Sequence, residues 1–70
     1  MVDRSQIKEQ MEVRGSDGKH IGTVDSLDGG RVKLASGGMY HHIDLDMVES
    51  VEKGAVRLKQ TAQEVTQTWH

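Results

Sequence analysis

The stretch RVKLASGGMYHHIDL, residues 31–45, decides how the rest of the chain is read. Val32 and Leu34 alternate with Arg31 and Lys33, the period-two pattern of a strand with one buried face. Ser36, Gly37 and Gly38 then turn the chain. The run after the turn alternates again. Met39, His41 and Ile43 fall on one face, and Tyr40, His42 and Asp44 on the other.

The same grammar extends upstream. Asp28, Gly29 and Gly30 make a turn before Arg31. The segment before it, KHIGTVDSL, spaces Ile21, Val24 and Leu27 by three. Gly22, Thr23 and Val24 are poor helix formers, and turn signals lie at both ends. A strand with a bulge or bend near Gly22 is therefore expected. The Asp17-Gly18 pair marks a turn needing positive φ. Before it, Met11 and Val13 alternate with Glu12 and Arg14 as a short strand. SQIKEQ precedes them as one helical turn, with Asp3 or Ser5 as its cap.

Downstream, residues 44–47 form a turn, followed by a short strand over residues 48–51. EKG closes a hairpin into AVRLK, where Val56 and Leu58 point inward. The period changes at the end. Ala62, Val65 and Trp69 share one helical face. Thr61 and Glu64 supply a T-x-x-E capping box, in which the hydroxyl takes a backbone N–H and the carboxylate reaches back. The expected fold is all-β: a single domain over residues 1–70, a small antiparallel barrel of about six short strands within residues 11–58, and a short C-terminal helix over residues 61–69.

Composition bounds the function. Seventy residues make one small domain with a marginal core. The chain has no cysteine, which excludes disulfides and thiolate zinc sites. It has no Phe, one Tyr and one Trp, so the core must be aliphatic. A net charge of −2 with interspersed signs argues against a nucleic-acid partner. No apolar run is long enough to span a membrane, and no hydrophobic signal core opens the chain. A cytoplasmic protein is expected.

VRGSDGKHIGTVDSL together with HHIDLDMVESVEKGAVRLKQTAQEV resembles a family of small uncharacterised bacterial proteins in the PRC-barrel-like group. The family pattern V-x-G-x-D-G-x-x-(I/V)-G-x-V-(D/E) is matched by Val13, Gly15, Asp17, Gly18, Ile21, Gly22, Val24 and Asp25. Its second half is matched by Ile43, Leu45, Val48, Val51, Val56 and Leu58. The chain departs from the pattern at two places. Asp44 stands where the family tends to have proline, and Met47 where it often has tryptophan. Both departures bear on the conformation after the fourth strand. The resemblance implies a small β-barrel that acts as an assembly module, as PRC-barrel domains do in the photosynthetic reaction-centre H subunit and in a ribosome maturation factor. It implies no shared active site.

The chemistry-bearing residues are few. His41 and His42 are adjacent, so a regular strand sends them to opposite faces, and they cannot chelate one ion together. His42 and Asp44 share a face, and a metal site would need them joined by His20 or Asp46. The acidic residues Asp17 and Asp28 are explained by turns. No nucleophile–base pair stands out, so the sequence points to no enzyme, no catalytic residue and no cofactor. Arg31, Lys33, Arg57 and Lys59 would form one basic stripe for RNA or a ribosome if their two strands were neighbours. Trp69, Val65, Tyr40 and Met47 form the stronger lead, because exposed apolar groups on a small domain mark an interface. The reading is therefore a non-enzymatic interaction module, working as a homodimer with a further protein partner not named by the sequence. The alternatives are a metal-binding protein using His42, Asp44 and His20, and a ribosome- or RNA-associated factor.

Overall fold

A computed structural model describes residues 4–67. A 3₁₀ turn at Arg4–Gln6 leads into β1 (Glu12–Arg14), β2 (His20–Asp28), β3 (Arg31–Ser36) and β4 (Met39–Asp44). A second 3₁₀ turn (Leu45–Met47) connects to β5 (Val48–Glu52), β6 (Ala55–Leu58) and the helix α1 (Ala62–Gln67). Six strands are thus present where alternation places them.

Two-residue turns set the hairpins. Gly37 and Gly38 have φ of 58° and 83°, the pair of positive values a type I′ turn requires. Lys53 and Gly54, at 50° and 77°, make the same turn between β5 and β6. Lys53 adopts a left-handed conformation that costs a residue with a Cβ about 1 kcal/mol.

β2 carries the irregularity foreshadowed around Gly22, twice over. Against β1 the register slips between the pairs Val13↔Gly22 and Arg14↔His20, leaving Ile21 as the extra residue. Against β3 it slips between Val24↔Leu34 and Ser26↔Lys33, leaving Asp25 extra. Gly22 lies between these bulges because its Cα packs against the Ala35 carbonyl, where a Cβ would collide. Bulges bend and twist a strand. This is why Ile21 and Gly22, consecutive in sequence, are both buried.

The strand order is β4-β3-β2-β1-β6-β5. All pairings are antiparallel except β1 with β6, which is parallel, aligning Val13 with Val56 and Arg14 with Arg57. The sheet is also not closed, so the expected antiparallel barrel is corrected in two respects. The chain returns from β4 by way of the β5–β6 hairpin, and β6 enters alongside β1 in the same direction. The edge strands β4 and β5 are not paired with each other.

The sheet nevertheless curls strongly. Laid flat, six strands would put their outermost members about 24 Å apart. Only Leu45, Asp46 and Met47 connect the two edge strands, and so short a link spans at most about 14 Å. The connecting turn is fastened on both sides. Leu45 N–H donates to the Gly30 carbonyl at 2.9 Å, and Lys59 N–H to the Met47 carbonyl at 2.8 Å. The concave face holds one core cluster, to which Val13, Val24, Leu34, Ile43, Val48 and Leu58 contribute from all six strands. Ile7 and Val65 complete it from the N-terminal segment and α1.

The capping box at α1 forms as the sequence implies. Glu64 N–H donates to Thr61 Oγ1 at 3.2 Å, and Thr61 N–H to Glu64 Oε1 at 3.0 Å. Val65 is fully buried and Ala62 packs against the core. The helix thus covers its own sheet. Trp69, which the helical spacing puts on the same face, lies outside the described residues.

Candidate functional site

The polar residues singled out by sequence are dispersed. His20 opens β2, and its Nδ1 lies 2.9 Å from Glu12 Oε2. Glu12 also accepts from Arg14 Nη2 at 2.8 Å. Hydrogen bonds from Arg14 and then from His20 hold the Glu12 carboxyl below its ordinary range. His42 lies on β4 opposite Lys33, and Lys33 is opposite Ser26. Ser26 is six residues along β2 from His20, at most about 20 Å at strand spacing. His42 Nε2 approaches Asp28 Oδ2 at 4.0 Å, and Asp44 Oδ1 approaches Arg31 Nε at 3.6 Å. The metal reading of His20, His42 and Asp44 is therefore corrected. Strand order separates them, and no three His, Asp or Glu residues gather to hold an ion among the described residues.

The basic stripe does not form either. Arg31 and Lys33 are on β3, Arg57 is on β6, and two strands lie between. Each of these cations has a local partner: Asp44 for Arg31, Asp25 for Lys33 at 3.9 Å, and the Ser16 carbonyl for Arg57 at 2.6 Å.

The densest polar structure is the corner where residues 15–18 meet the start of α1. Gly15 N–H donates to the Lys19 carbonyl, Gly18 N–H to the Gly15 carbonyl, and Ser16 N–H to the Gln60 carbonyl. Asp17 Oδ1 accepts from Lys19 N–H at 3.3 Å and from Ala62 N–H at 3.4 Å. Desolvation pushes the Asp17 carboxyl up, but the N–H groups of Lys19, Ala62 and Asp17 itself outweigh it and the net shift is downward. Gly15 packs so closely on Thr61 and Ala62 that a Cβ would collide with their backbone. Beside the corner runs an open groove of about 270 Å³, lined by Glu12, Arg14, Glu52, Lys53 and Arg57 among others. Within it Arg14 pairs with Glu12, which His20 also holds, and Arg57 donates to the Ser16 carbonyl. The corner is a structural joint that ties the turn at residues 15–18 to the start of α1.

The edge strand β4 is different. Met39 and Tyr40 are the exposed large apolar residues among those described, at 60% and 59% of their full accessibility. Lys33 Nζ sits 4.6 Å from the Tyr40 ring centroid, a cation–π contact on the outer face. Of the four residues read as an interface, Tyr40 is exposed and Met47 is half-buried against the core. Val65 is corrected: it fills the core and offers a partner nothing. Met39 shares a strand face with the buried Ile43 and is exposed nonetheless. It follows the turn glycines at the open end of its face, and that placement was the available signal of its exposure.

Residues 7–66 match the DUF2171 family, described as an uncharacterized protein conserved in bacteria. The chain belongs to that family. No curated protein matches it significantly. No helix among the described residues is long and apolar enough to cross a membrane.

Proposed function

We propose that this DUF2171 domain is a non-enzymatic interaction and assembly module that works as a homodimer in the cytoplasm. The observation that carries the reading is the uncovered β4 edge. Two large exposed side chains, Met39 on the inner face and Tyr40 on the outer, lie on a strand that has a neighbour on one side only among the described residues. Exposed apolar groups of this kind mark interfaces, and an unpaired strand edge is a template for pairing with another chain. A domain this small also gains stability by association. The resemblance to PRC-barrel-like domains, which serve as assembly modules, supports the same reading.

Sedimentation velocity from low micromolar to near-millimolar protein tests it. The expected result is a concentration-dependent shift from the 7.8 kDa chain to a species of twice that mass. A single monomeric species throughout overturns the homodimer.

A further inference from the structure

We propose that β4 is the seam of a two-fold dimer, in which it pairs antiparallel with β4 of a second copy about an axis through His41. This rests on the assembly reading above and adds the element, the partner and the register.

Backbone direction comes first. The two-residue turn at Gly37 and Gly38 makes Ser36 and Met39 a pair that exchanges both backbone hydrogen bonds. The bond from Leu45 N–H to the Gly30 carbonyl continues the same alternation at the far end of the hairpin. The backbone groups of Met39, His41 and Ile43 therefore point at β3. Those of Tyr40, His42 and Asp44 point away from it, where the described sheet ends.

The two edges of the sheet are not equivalent. β5 is interrupted: its register against β6 slips between Val48 and Ser50, leaving Glu49 as a bulge. Glu49 and Glu52 are also exposed carboxylates. Bulges and charges are how natural sheets block edge pairing. β4 has neither device along its edge-facing backbone until Asp44 at its end. Its six pairs with β3 run without a slip, and it contains no proline, lysine or arginine.

Symmetry then selects the register. A two-fold axis normal to the sheet keeps inner face with inner face, so only residues of like orientation can meet. With the axis at His41, Met39 meets the partner's Ile43 on the inner face, and Tyr40 meets the partner's His42 on the outer face. Both contacts occur twice. The exposed thioether is covered by an apolar neighbour, and each phenol ring gains an imidazole. With the axis at His42, Tyr40 instead faces the partner's Asp44, and Met39 lies beyond the paired segment. With the axis at Tyr40, the partner's His42 faces Gly38, which has no side chain to receive it. The first register is the self-complementary one. A five-residue seam covers less than the roughly 1,200 Å² of a standard interface, so the dimer is of micromolar affinity or weaker.

The test uses the whole chain. His42→Pro deletes an N–H that faces away from β3, so the β3–β4 ladder keeps all its bonds. Tyr40→Lys adds a charge at the edge and leaves the backbone alone. Both are expected to weaken dimerisation at least about tenfold in sedimentation, while far-ultraviolet circular dichroism stays that of the wild type. Glu49→Lys on the other edge leaves dimerisation as it is. The absence of native cysteine permits a register test by disulfide formation under mild oxidation. At a non-hydrogen-bonded antiparallel pair the Cα atoms are about 4.5 Å apart, within disulfide reach. His41→Cys should therefore cross-link faster than either His42→Cys or Tyr40→Cys. A wild-type dimer indifferent to both His42→Pro and Tyr40→Lys, or cross-linking fastest in another variant, overturns the seam while the assembly reading stands. A wild type that stays monomeric, as it would if a different protein's strand were the occupant, overturns both.

Discussion

The corner at residues 15–18 and the edge strand β4 are both built from glycine turns and polar side chains, yet they are held in opposite ways. At the corner, backbone and side-chain hydrogen bonds converge from four places: the turn itself, Gln60, Arg57 and the first turn of α1. Local bonds shape the turn, and Ser16 and Asp17 tie it to parts of the chain more than forty residues away. β4 is held by β3 and by the bond at Leu45, and among the described residues its outer side has no neighbouring strand. One region is fixed by contacts made within the chain, and the other retains its capacity to make contacts outside it. Polar density is thus a poor guide to function in this fold, because the corner satisfies itself.

Glycine substitution separates the two regions most sharply. Gly15→Ala places a Cβ against the Ala62 nitrogen and the Thr61 carbonyl carbon, which belong to backbone that cannot swing aside. Its cost is expected near the upper end for overpacking, about 3 kcal/mol. A core this small supplies about 3–5 kcal/mol in all, so the variant should lose most of its cooperative thermal transition in circular dichroism. Gly38→Ala at the β4 turn meets open space and carries only the strain of φ 83°. It should cost about 1 kcal/mol. Equal losses at the two sites would remove the distinction between a packed joint and a free edge.

Capping makes the second contrast. Thr61→Ala removes the hydroxyl that accepts Glu64 N–H and should destabilise the domain by about 1 kcal/mol in urea unfolding. Tyr40→Ala removes an exposed ring that carries the Lys33 cation on its face. It should change monomer stability by less than about 0.5 kcal/mol, with its effect read in association instead.

Local signals explain which of these features could be read from sequence. Alternation at Val32 and Leu34, the turn glycines and the T-x-x-E box at Thr61 each lie within a few residues, and each formed. The bulging of β2 was legible for the same reason, since Ile21, Val24 and Leu27 cannot share one face of a regular strand. The parallel pairing of Val13 with Val56 joins segments more than forty residues apart and leaves no local trace. With the strand order hidden, the separation of His20 from His42, and of Arg31 from Arg57, was hidden too. Likewise Gly15 looked like a turn residue, because its close approach to Ala62 exists only once α1 docks. Val65 was assigned both to a helical stripe and to an interface. The stripe was right, and the core claimed it.

Acid titration gives the last and smallest effect, and it concerns the corner and the neighbouring strand β1 rather than β4. The folded carboxyl of Asp17 lies below its ordinary value of 3.8, because the N–H groups of Lys19, Ala62 and Asp17 outweigh its desolvation. A depressed carboxyl contributes stability that is present above its unfolded pKa and is lost as pH falls through the folded one. Glu12, lowered by Arg14 and His20, acts in the same direction. Stability should therefore be level near neutrality and decline below about pH 4. Asp17→Asn keeps an oxygen acceptor for the two amides and removes the charge. Its deficit relative to wild type should be largest near neutral pH and shrink as the pH falls below 4, where both proteins carry an uncharged side chain at that position. The measurement is urea unfolding at a series of pH values. A deficit that stays constant to pH 2.5 would mean that hydrogen-bond geometry alone, rather than charge, ties the turn to α1.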